Sequence, residues 1–172
     1  MPRLREIALV EKSGIAVVTL SKYRDPIGLP LIKSLLTDPN PKVQTLGLVA
    51  VRYWPDTMFF LYIKKIQEAQ IGSPANSQRS AAAGTASYNF WQLRVLYQDL
   101  VLYKDSATRD LLLLAMKKTT GWKRMYHSFA IWVALHKYPD PMYAPVLPRL
   151  KIKAEHIDGL QALINENEDW EY

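Results

Sequence analysis

The chain has 172 residues, 49% of them apolar, no cysteine and a formal net charge of +6. That length supports a single domain with a sizeable core, and the lack of cysteine excludes disulfides, thiolate nucleophiles and thiolate-bound metals. All 22 Lys and Arg lie in residues 1–153 together with ten of the 16 acidic residues, so this body carries +12, whereas residues 155–172 hold six acids and no Lys or Arg.

A body so charged attracts polyanions or acidic protein surfaces. No apolar stretch of signal-peptide length stands directly behind the charged start Met1–Glu6, and neither the apolar run 125–135 nor the longest uncharged run, 80–93, reaches the ~20 residues that a membrane span needs. The expectation is a chain with no membrane partner and, by default, a cytoplasmic setting.

Along the chain, 3–12 and 14–23 read as a first helix pair divided at Ser13-Gly14. A β-hairpin competes there, because Ile15 to Leu20 is rich in β-branched residues; the match of this stretch to 129–138, which has good helical spacing, favours helix. Helices follow near 26–37, 41–53 and 57–70. Residues 72–87 contain no large apolar side chain before Tyr88 and one charge, Arg79, and are expected to form a flexible insertion. Helices resume near 88–103, 106–118, 122–137 and 141–152, and a short one near 155–165 closes the stack with polar residues at the start of the acidic segment 155–172.

The chain also resembles itself. Residues 20–35 lie over 135–150 without a gap, with seven identities in sixteen positions: Leu20, Lys22, Tyr23, Asp25, Pro26, Pro30 and Leu35 match Leu135, Lys137, Tyr138, Asp140, Pro141, Pro145 and Leu150. Weaker copies of the aromatic–Asp phrase begin at Trp54 and Tyr103, so the aromatic anchors are 31, 49 and 35 residues apart, the period of stacked helix pairs with one insertion. In each copy the Asp suits the position just before a helix, where its carboxylate accepts from unpaired backbone N–H groups and contributes roughly 1 kcal/mol. Pro26 and Pro141 suit the first helical position. Pro30, Pro145 and Pro148 fall further in and are expected to kink their helices.

The stretch Leu35-Leu36-Thr37-Asp38-Pro39-Asn40-Pro41-Lys42-Val43, followed by Gln44-Thr45-Leu46-Gly47-Leu48-Val49-Ala50-Val51, resembles the HEAT repeat. In that family a leucine pair ends the first helix, Asp and Asn-Pro make the tight turn, and valine with small apolar residues builds the second helix. Gln44 stands where HEAT repeats commonly carry Arg or Lys. The resemblance implies an all-α fold, a right-handed α-α superhelix of about four to five helix pairs, in which exposed residues on the second helices line a binding surface. It does not fix an activity.

On that expectation the binding residues are Lys42 and Arg52 on 41–53, Trp91, Arg94 and Gln98 on 88–103, and Lys123, Arg124 and His127 on 122–137. Basic groups interleaved with an aromatic suit an acidic peptide with an apolar anchor, or a phosphate backbone. The densest cationic stretch is Lys117 to Arg124, around Trp122. No catalytic motif is present: His127, His136 and His156 lack metal-ligand spacing, no phosphate-binding Gly loop or nucleophile elbow occurs, and Asp25, Asp56, Asp105 and Asp140 are read as caps. The sequence therefore predicts a non-enzymatic module without cofactor that holds an acidic protein or peptide. The alternative is nucleic-acid binding of the kind found in HEAT-like alkylpurine DNA glycosylases, for whose catalytic residues this chain offers no local motif.

Overall fold

The computed structural model describes residues 2–11, 13–72 and 83–165, and among these every regular element is helical, with no strand. Two compact units make up the chain, Met1–Gly72 and Ser73–Tyr172. In the first, α1 (Pro2–Val10), α2 (Gly14–Lys22), α3 (Gly28–Leu36), α4 (Pro41–Tyr53) and α5 (Phe60–Gly72) follow in order. The second holds α6 (Ala83–Val101), α7 (Ser106–Lys118), α8 (Gly121–Lys137), the four-residue α9 (Leu147–Leu150) and α10 (Ile157–Asn165). In the first unit α2 packs on α1, α3 and α4, and α3 on α4 and α5; in the second α8 packs on α6, α7, α9 and α10, and α7 on α6 and α9.

Side-chain caps set the starts of α2, α4 and α7, because the first N–H groups of a helix have no internal partner. The Ala16 N–H donates to Ser13 Oγ (3.4 Å), the Lys42 N–H to Asn40 Oδ1 (2.9 Å) and the Thr108 N–H to Asp105 Oδ1 (2.7 Å). The Asp25 carboxylate accepts from the Ile27 N–H (3.2 Å) in the turn before α3 and also from Arg5 Nε (2.7 Å), which ties α1 to this turn. That charge-assisted bond with Arg5 holds the Asp25 carboxyl below its usual range, against the opposing effect of burial.

The aromatic–Asp phrase takes two backbone forms. After Tyr23 and Tyr103, the next residue, Arg24 or Lys104, adopts a left-handed conformation with φ 51°. After Trp54 and Tyr138 the next residue is proline, which keeps the aromatic out of the helical region; the two aromatics share φ, ψ of −141°, 73° and −127°, 70°. Asp56 and Asp140 then cap matching 3-10 turns, Thr57–Phe59 and Pro141–Tyr143, accepting from the N–H groups of Met58 and Met142 at 2.9 Å each. Phe59 and Tyr143, each the last residue of its turn, are buried, and the Tyr143 hydroxyl donates to the Val101 carbonyl (3.1 Å).

Three expectations are corrected. Pro30 does not kink a helix begun at 26, because α3 starts at Gly28 and places it in the first turn, where a missing N–H costs nothing. The single helix expected over 141–152 is a 3-10 turn followed by α9, since Pro145 and Pro148 interrupt the backbone ladder. Residues 83–87, assigned to the insertion, belong to α6; alanine favours helix more than any other residue. The rest of that insertion, 73–82, and the acidic segment from 166 onward lie outside the described residues.

Gly47 lets α4 approach α3 closely. A Cβ at this position would stand 2.9 Å from the Leu36 backbone nitrogen and 3.0 Å from Leu35 Cβ, so Gly47→Ala should destabilise the first unit by about 1–3 kcal/mol, read as a lowered urea midpoint. Gly72→Ala, whose added methyl meets nothing within 4 Å, serves as the control and should leave the midpoint unchanged or raise it. Equal midpoints for the two variants would contradict the packing described.

Candidate functional site

Helix α6 is buried on every side from Gln92 to Val101. Its polar stripe therefore lies inside the protein, whereas the 3.6-residue spacing alone reads as a solvated face. Arg94 and Gln98 are buried, and Trp91 is half-buried. Arg94 Nη2 donates to the Leu163 carbonyl (3.2 Å) in the last turn of α10, where a cation meets the negative end of the helix.

On α8, Lys123 and His127 are also buried, one turn apart. The Tyr97 hydroxyl and His127 Nδ1 share a hydrogen bond of 2.5 Å, and the rings meet edge to face with centroids 5.8 Å apart. His127 Nε2 is buried with no hydrogen-bond partner. Burial, and secondarily the Lys123 charge, lower the His127 pKa to about 4; burial likewise lowers that of Lys123. Four of the expected binding residues, Arg94, Gln98, Lys123 and His127, are thus enclosed. Lys42, exposed, and Arg52, half-buried, are on α4 in the first unit, and the other six are in the second.

Arg124 has a different setting. It lines an open cleft of about 380 Å³ between the N-terminal half of α8 and the segment 150–156. One part of its wall is apolar, from Met125 and Phe129 on α8 and from Leu150 and Ile152. The other part is basic, from Arg124, Lys151, Lys153 and His156, and no carboxylate belongs to the lining. Lys151, which ends α9 in a left-handed conformation (φ 53°), turns the chain back along α8. The His156 ring meets the edge of Phe129, centroids 5.0 Å apart and planes at 62°. Gly121, with φ 55°, opens α8 at one end of the cleft, and a Cβ there would meet nothing within 4 Å. The Thr120 side chain makes no capping bond, so the first N–H groups of α8 add a positive field on this side. Trp122, the second residue of α8, is 61% exposed, and Lys117 and Lys118, in the last turn of α7, are exposed.

The arrangement can hold an anion beside an apolar group. The lining has no carboxylate, and the Ser128 hydroxyl in it donates to Met116 Sδ (3.2 Å). Among the described residues no group of three His, Asp or Glu could hold a metal ion, and no helix is long and apolar enough to cross a membrane. Of the residues expected from spacing, Arg124 lines this cleft; Lys151, Lys153, His156, Met125 and Phe129, which also line it, were not among them. The alternation Lys151-Ile152-Lys153 was the available signal. Compared with protein-family models, curated proteins and solved structures, the chain gives no match.

The buried histidine yields a pH prediction. Its folded pKa of about 4 lies below the unfolded value near 6.5, so the unfolded chain binds this proton first. The associated stability is full above pH 6.5 and is lost as pH falls from there through about 4, a decline of about 2–3 kcal/mol. Urea unfolding from pH 7 to 4.5 should show this decline for the native chain, and His127→Gln should flatten it. A slope unchanged by the substitution would contradict the enclosed, neutral state of His127.

Proposed function

We propose that this chain is a non-catalytic binding module of the HEAT-like kind, whose second unit holds an acidic protein segment in the cleft along α8. The observation that carries the reading is the cleft's lining: three fixed cations and a histidine beside an apolar wall, with no carboxylate. Such a surface suits a partner with negative charge around an apolar anchor, since charge steers the encounter and the desolvated anchor supplies affinity. The +12 body supports the same partner class through its long-range field. The right-handed superhelix belongs to this reading as well; packing of α2 on α3 and α4 in the first unit, and of α6 on α7 and α8 in the second, supports it. Of the eight residues expected from sequence, the reading retains Arg124 as a direct contact. Lys42 and Arg52 are proposed to contribute to the field, and Arg94, Gln98, Lys123 and His127 to support the helices that carry the site. A cytoplasmic setting is part of the proposal.

Nucleic-acid binding is the second reading, favoured by exposed Trp122 among exposed Lys117 and Lys118, since an aromatic amid cations can stack on a base. One pair of titrations separates the two. A fluorescent acidic peptide containing Glu, Asp and Phe should bind the chain at low salt, and Arg124→Ala combined with Lys151→Ala and Lys153→Ala should weaken it at least tenfold. A single-stranded oligonucleotide should bind no more tightly than the peptide. Tight oligonucleotide binding with a log–log salt slope of roughly −0.7 per neutralised phosphate, together with no peptide binding, would replace the first reading by the second.

A further inference from the structure

A carboxylate beside the cleft already engages part of its basic wall. Glu155 does not line the cleft, yet its Oε1 stands 3.6 Å from Lys153 Nζ and 3.5 Å from His156 Nε2, two of the basic groups that do. The Lys153 and Glu155 side chains are 76% and 65% exposed, so these contacts are solvated and easily exchanged. The His156 ring joins the two halves of the cleft, with a nitrogen toward the Glu155 carboxylate and its ring against Phe129.

We infer that the cleft recognises a carboxylate and a bulky apolar side chain close together in its partner, and that Glu155 is a built-in competitor for the carboxylate position. This rests on the functional reading above and specifies its ligand. The partner's carboxylate replaces that of Glu155 at Lys153 and His156, while Arg124 adds a cation that Glu155 does not engage. Its apolar side chain lies on Met125, Phe129 and Ile152. Exchange of one carboxylate for another leaves the lysine paired throughout, so the anionic half supplies orientation and the apolar half supplies most of the affinity.

Two peptides of equal charge test this on the full chain by fluorescence anisotropy at low salt: one places Phe next to Glu, and in the other Ser replaces that Phe. The Phe peptide should bind at least tenfold tighter. Glu155→Gln, a change at an exposed position, should tighten both peptides about two- to fivefold, as expected from removing an exposed ion pair. Equal affinity for the two peptides would overturn the paired recognition, and unchanged or weaker binding by Glu155→Gln would overturn the competitor role, each leaving the acidic-peptide reading intact. If neither peptide bound, the functional reading would fail and this inference with it.

Discussion

The second unit depends on how α8 is seated. Ala130, Ile131, Val133, Ala134 and Leu135 are all buried on this helix, which packs against α6, α7, α9 and α10. Because α6 is enclosed along ten consecutive residues, the α6–α8 contact takes polar groups out of water as well as apolar ones. The Tyr97–His127 bond partly satisfies them, and a buried polar pair of this sort fixes register more sharply than apolar packing alone. Rotating α8 would break that bond and turn Arg124, Met125 and Phe129 away from the cleft. The interior polar pair and the outer wall of the cleft are thus two faces of one helix.

The other recurring constraint is the use of a side-chain carboxylate or amide where a helix or 3-10 turn begins. Asp56, Asp105 and Asp140 each occupy a turn that would otherwise leave N–H groups unpaired. This use engages Asp25, Asp38, Asp56, Asp105 and Asp140, half of the ten acids in residues 1–153, without removing their charge.

Helix positions were legible in the sequence because the capping residues and the aromatic–Asp phrase are local signals; Asp105 and Ser106 mark the start of α7 without reference to anything distant. The burial of Arg94, Gln98, Lys123 and His127 was not legible. A polar stripe at helical spacing looks the same whether it faces water or another helix, and only the tertiary arrangement distinguishes the two. The cleft was partly legible. Arg124 appeared as one cation of a basic run, but its partners Lys151, Lys153 and His156 come from a segment read as the end of a helix, and Pro145 and Pro148 shorten that helix to four residues. The left-handed conformation at Lys151 that brings this segment back along α8 has no sequence mark, since lysine rarely adopts it.

The proposed site is the wall formed by α8 and the segment after α9. Backbone amide resonances followed during titration with an acidic, Phe-containing peptide report that location directly. The structure predicts that the largest shifts fall on residues 121–129 and 150–156. Shifts concentrated instead on α4, around Lys42 and Arg52, or spread evenly over the basic surface, would contradict it.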